Sequence, residues 1–81
     1  MTVTVLYFAS IRDLTGRASD EVELSEGAAL SDLLKEVTSR YPKVGAMVAS
    51  LMMSVNEDYA EPSTVLSEGD EVALIPPVSG G

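Results

Sequence analysis

Cysteine, histidine and tryptophan are all missing from this 81-residue chain. Without cysteine there is no disulfide and no thiolate nucleophile. Without histidine there is no imidazole base, and with both gone almost every zinc or iron site is excluded, so no metal site is expected. Positive charge is also scarce, with five Lys and Arg against thirteen Asp and Glu and a formal net charge of -8. None of the five lies beyond Lys43, whereas Glu57, Asp58, Glu61, Glu68, Asp70 and Glu71 are all acidic. Such a surface is unsuited to nucleic acid or an anionic membrane. It fits either a basic protein partner or simple solubility. The opening "MTVTVLYFAS" has no basic stretch and too short an apolar run for a signal peptide or membrane span, so a soluble cytoplasmic protein is expected.

Dinucleotide and phosphate-loop motifs are absent too, and the acidic pairs Asp20/Glu21, Glu57/Asp58 and Asp70/Glu71 are adjacent in sequence. On a strand, adjacent residues point to opposite faces, so these pairs read as solvated edges and turns rather than acid/base couples. The serines have no base to activate them. Met47, Met52 and Met53 read as core filler.

What is present is a pattern of alternating and helical periods. Thr2 to Ala9 is β-branched or aromatic in both registers, as in a central strand. "SIRDLTGRASD" reads as a connection in which Gly16 turns the chain and Ile11 and Leu14, a helical turn apart, tuck back onto the domain. "DEVELS" alternates, with Val22 and Leu24 on one face of an edge strand. Leu30, Leu33, Leu34, Val37 and Tyr41 then form one helical stripe that Pro42 ends, with Ser31 the only nearby capping side chain. Val44, Met47 and Val48 could add a short helical turn. "LMMSVN" is a third strand, turned by Asn56 into a brief fourth around Tyr59, and Glu71 to Ile75 is a fifth. The order suggests an α+β domain, a sheet with one helix laid across it. On the face opposite that helix, the inferred register would put some of Phe8, Tyr59 and Ile75. Clustered there they would mark a protein interface; scattered, they would mark little.

From Val72 onward no side chain is charged, and the fifth strand runs straight into "PPVSGG". Pro76 and Pro77 keep the backbone extended and deny it a further strand pairing. From Pro77 to Gly81 the tail could reach roughly 15 Å at about 3.3 Å per residue. Gly80 and Gly81, lacking Cβ, would let the last peptide unit thread a narrow channel. This divides the chain into a domain over residues 1–76 and an extended tail over 77–81, whose terminal carboxylate is the one reagent left.

"EGDEVALIPPVSGG", together with "FASIRDLTG", resembles the sulfur-carrying small subunits of molybdopterin synthase, which are ubiquitin-like β-grasp proteins. The resemblance implies a mixed sheet of four to five strands crossed by one main helix. It further implies that Gly81 is adenylated by a partner activating enzyme that uses ATP, and that a sulfur donor protein converts it to a thiocarboxylate. The tail residues Pro76, Pro77, Val78, Ser79 and Gly80 would enter the large synthase subunit, where sulfur passes to a pterin precursor to form the dithiolene of the molybdenum cofactor. Phe8, Arg12, Tyr59 and Ile75 would contact that partner in a heterotetramer. No cofactor would be bound by the chain itself, and catalytic residues would belong to the large subunit. Related functions are a β-grasp sulfur carrier for thiamine or tRNA thiolation, or a ubiquitin-like modifier joined to lysines.

Overall fold

The computed structural model describes residues 1–77. Its elements are strand β1 (Thr2–Tyr7), helix α1 (Ala9–Thr15), strand β2 (Ser19–Glu23), helix α2 (Leu30–Arg40), a 3₁₀ segment (Pro42–Ser50), and strands β3 (Met52–Val55), β4 (Asp58–Tyr59) and β5 (Glu71–Ile75). The five strands form one sheet in the order β2-β1-β5-β3-β4. β1 and β5 are parallel, and the other pairings are antiparallel. The expected mixed sheet and its single main helix are therefore both present. Val78, Ser79, Gly80 and Gly81, the outer part of the expected tail, lie outside the described residues.

Alternation decides which face is covered. Val3, Val5 and Tyr7 of β1, Val22 of β2 and Val72 and Leu74 of β5 are buried against Leu30, Leu33, Leu34 and Val37 of α2. Each such burial contributes about 1.5–3 kcal/mol, so the helical stripe and the odd or even strand positions specify one another. Ile11, Val44, Leu51 and Leu66 close the rim of this core.

The segment expected to be a connection is helical instead. In α1, Ile11 is fully buried and Leu14 packs partly against the core, which gives seven residues enough apolar anchorage to hold a helix. Gly16, at φ 72°, ends it by donating its N–H to the Arg12 carbonyl at 2.9 Å, a left-handed cap that glycine adopts without a Cβ clash. Ala9 stands at the helix start with φ 48°, a region that costs a residue with a side chain roughly 1–2 kcal/mol.

Nor does Ser31 cap α2. The helix begins at Leu30, and its free N–H groups are met by a distant loop. Leu30 donates to the Thr64 carbonyl at 2.8 Å and Ser31 to the Pro62 carbonyl at 2.9 Å, while the Ala29 N–H donates to Oδ2 of Asp32 at 2.9 Å. The unpaired donors of a helix end need acceptors but do not require them to be local side chains.

At the β3–β4 turn, Asn56 (φ 51°) and Glu57 (φ 73°) both take the left-handed region, as a two-residue hairpin turn of matching twist demands. Asn56 also locks that hairpin to β5. Its Nδ2 donates to Oδ1 of Asp70 at 2.9 Å, and its Oδ1 accepts the Glu71 N–H at 3.0 Å.

Candidate docking face and tail base

Residues whose strand neighbours face the core must themselves face away from it. Because Val72 and Leu74 are buried, Ala73 and Ile75 lie on the open face of the sheet, and the pairing assigns their companions. Met52 stands opposite Ile75, and Ser54 opposite both Ala73 and Tyr59. Leu6 stands beside Ala73 from the parallel side. Phe8 follows β1 in extended geometry (φ -117°, ψ 152°), so it continues the alternation onto the same face, and its N–H reaches the Leu74 carbonyl at 3.4 Å.

Two cross-strand rows result. Phe8, Ile75 and Met52 form the first, and Leu6, Ala73, Ser54 and Tyr59 the second. The next row, which holds Thr4 and Glu71, is polar. Apolar surface is thus concentrated at the end of the sheet where β5 runs out. Tyr59 is 82% exposed, Phe8 44% and Met52 42%, which is unusual for side chains of this size without a partner. Phe8, Ile75 and Tyr59 thus share the open face at this end of the sheet, Phe8 and Ile75 in one row and Tyr59 in the next.

Arg12 lies one helical turn beyond Phe8 on α1, where its own N–H points to the Phe8 carbonyl at 3.4 Å. Its side chain is exposed and makes no salt bridge among the described residues. Pro76 is buried and Pro77 exposed, so the first proline packs the base of the tail against the domain. Gly81, Gly80, Ser79 and Val78 lie outside the described residues.

Sequence reading missed Leu6 and Met52. Met52 was grouped with Met53 as core filler, yet two consecutive strand residues cannot both face one core. Met53 does pack against it, as does Met47, and Met52 is turned outward. That exclusion was available in the sequence once the third strand had been recognised.

The acidic pairs also divide. Asp70 is a turn organiser, accepting the Ser67 N–H at 2.8 Å as well as the Asn56 amide. Asp20 is not the solvated edge residue that its sequence position suggests. It shares the inward parity of Val22, and its Oδ2 accepts the hydroxyls of Tyr7 at 2.9 Å and Tyr41 at 2.7 Å. Oδ1 meets Nε of Arg17 at 2.7 Å. Burial alone would raise the Asp20 carboxyl, but the two tyrosine hydroxyls and the nearby Arg17 and Arg40 outweigh it and hold its pKa below the ordinary value. Tyr7 is pushed up, first by burial and then by its bond to Asp20, and Tyr41 is raised chiefly by the same carboxylate. These groups are locked to one another.

A separate groove of about 410 Å³ lies between α2 and the 3₁₀ segment, lined by Leu34, Thr38, Val48 and Pro62 with Lys35 as its one ionisable group. Among the described residues, no cluster of three or more potential metal ligands occurs, and no helix is long and apolar enough to cross a membrane.

A mixed five-stranded sheet gripping one main helix, with parallel first and last strands and an exposed apolar face beside its outgoing strand, defines the ubiquitin-like β-grasp class. The pattern of the ThiS family matches residues 5–81, and the chain belongs to that family. The molybdopterin synthase sulfur carrier subunit of Chlamydomonas reinhardtii is 37% identical over 83 residues, covering all of both chains. Among solved structures, SAMP1 from Haloferax volcanii superposes with a TM-score of 0.93 at 25% identity, covering both chains completely. A putative molybdopterin converting factor subunit 1 from Pyrococcus furiosus superposes with a TM-score of 0.88 at 35% identity, over 96% of this chain and 99% of its own.

Proposed function

We propose that this chain is the sulfur carrier subunit of a molybdopterin synthase, loaded at Gly81 and docked through the Phe8–Ile75–Met52 row. The observation that supports it most is this apolar row at the base of a charge-free Pro-Pro tail, in a chain without any thiol or imidazole of its own. Full-length likeness to a relative named for that work supports the same reading.

The chemistry follows from the terminal group. A carboxylate resists attack because its leaving group would be oxide. An activating enzyme would let a Gly81 carboxylate oxygen attack the α-phosphorus of ATP, releasing pyrophosphate and leaving an acyl-adenylate. The outer sulfur of a donor persulfide then attacks the acyl carbon and AMP departs; a thiol of the donor system attacks the donor sulfur of the resulting acyl disulfide, forming a disulfide there and releasing the thiocarboxylate. Pro77 to Gly81 would reach into the large subunit, which supplies the cationic and acid/base groups for transfer to the pterin precursor. The carrier body, anchored by Phe8, Tyr59 and Ile75 with Arg12 at the margin, contributes position rather than catalysis.

Incubation with the activating enzyme, ATP and a sulfur source should raise the mass of the C-terminal peptide by about 16 Da, the exchange of oxygen for sulfur at the acyl carbon. Deleting Gly81 should abolish both the mass change and product formation while leaving the circular dichroism spectrum unchanged. An unaltered peptide under conditions that charge another carrier would overturn the assignment.

A further inference from the structure

Met52 differs from the other methionines in its place on the fold. Of the four in the chain, Met1, Met47 and Met53 pack against the core, whereas Met52 is 42% exposed on the open face. Its strand partner is Ile75, and the residue after Ile75 is Pro76, where the tail is seated. Side chains so paired stand about 4.5–5.5 Å apart at Cβ, which puts the thioether sulfur within side-chain reach of the tail base. No cysteine competes with it for an oxidant within the chain.

We infer that Met52 is a redox-sensitive modification site, whose oxidation to the sulfoxide by a peroxide closes the docking face; this rests on that face receiving the large subunit. In the reaction a sulfur lone pair forms the S–O bond, the peroxide O–O bond breaks, and the second oxygen leaves as water, so the thioether is oxidised and the peroxide reduced. The product puts a strong hydrogen-bond acceptor into a row whose other members, Phe8 and Ile75, offer no side-chain donor. Desolvating that acceptor on docking opposes association, whereas the unoxidised thioether is a soft apolar contact. The free carrier is vulnerable and the docked carrier is covered, so oxidation acts on the pool between encounters.

The test uses the full chain with an ordinary carboxylate terminus, so that no terminal sulfur consumes oxidant. Limiting hydrogen peroxide is added, oxidation is mapped by peptide mass spectrometry, and affinity for the large subunit is measured before and after by calorimetry. Met52 should oxidise faster than Met47 or Met53, and the affinity should fall about tenfold or more, the scale expected for burying an unpaired polar group. Methionine sulfoxide reductase should restore it. Met52→Leu, compared with its own untreated affinity, should lose none on peroxide treatment, and Met52→Gln, a folded mimic of the polar product, should bind weakly without oxidant. The inference is overturned if Met52 reacts no faster than its packed counterparts, or if the oxidised chain or Met52→Gln binds as tightly as the parent. Failure of the untreated parent to bind overturns the functional reading and this inference together; binding that survives oxidation overturns this inference alone.

Discussion

The Tyr41 hydroxyl, just past the end of α2, donates to Oδ2 of Asp20 on the edge strand β2 at 2.7 Å, and the Tyr7 hydroxyl of β1 donates to the same oxygen at 2.9 Å. The tyrosine rings meet edge to face with centroids 5.9 Å apart. One inward carboxylate thus ties helix, central strand and edge strand together. It also places a charge on the inner side of an exposed edge, which discourages pairing with another chain. Asp20→Ala should destabilise the domain by about 2–3 kcal/mol, because two hydroxyls lose a charged acceptor, and chemical denaturation at pH 7 would measure it.

The same cluster makes stability depend on pH from both sides. Asp20 titrates lower when folded than when unfolded, so its contribution is complete above the unfolded value of about 3.9 and is lost as pH falls through the folded value. Tyr7 and Tyr41 titrate higher when folded, so their contributions are complete below about pH 10 and disappear as pH rises through their folded values. Asp20→Asn should flatten both limbs of a denaturation-versus-pH curve. Unchanged limbs would show that other groups set them.

Docking should be separable from folding. Ile75 lies at the centre of the Phe8–Ile75–Met52 row and faces away from the core, so Ile75→Asp should leave the melting temperature within a few degrees while weakening large-subunit binding a hundredfold or more. Tyr59, far more exposed at the sheet edge, should cost less when replaced by Ala, about tenfold. Equal binding by Ile75→Asp and the parent would place the interface elsewhere.

Ala9 provides a test of stored backbone strain. Its φ of 48° suits glycine, and an added Gly entropy cost offsets only part of the relief, so Ala9→Gly should stabilise the fold by about 0.5–1 kcal/mol. A loss of stability would show that the alanine methyl is packed to advantage there.

Most of the sheet was legible from alternation, because a strand with one buried face must write that face into every second residue. Val22, Val72, Leu74 and the α2 stripe Leu30, Leu33, Leu34 and Val37 were readable for this reason. α1 was not, since a seven-residue helix with one fully buried side chain, Ile11, has too short a period to separate from a turn. The α2 start was hidden because its acceptors are the carbonyls of Pro62 and Thr64, more than thirty residues away and invisible to any local motif. Asp20 was misjudged because parity alone points it inward, and only the meeting of Tyr7 and Tyr41 above it makes an inward carboxylate tolerable. For the candidate site, parity suggested an outward face for some of Phe8, Tyr59 and Ile75, while their grouping on that face, and Met52 with them, required the strand pairing.

That register depends on Asn56, where conformation and side-chain bonding can be distinguished by a pair of substitutions. Asn56→Gly keeps the left-handed turn at φ 51° but removes the bonds to Asp70 and the Glu71 N–H, and should cost about 1–2 kcal/mol. Asn56→Ala removes the same bonds and adds the steric penalty of the turn, so it should cost about 1–2 kcal/mol more. Hydrogen exchange should show faster opening of β3 and β4 in both variants, with β1 and β2 unchanged. Since Met52 stands opposite Ile75 only while β3 stays in register with β5, binding to the large subunit should weaken in the order parent, Asn56→Gly, Asn56→Ala. If Asn56→Gly matched Asn56→Ala in stability, the turn conformation would carry no cost, and the side-chain bonds alone would explain asparagine at this position.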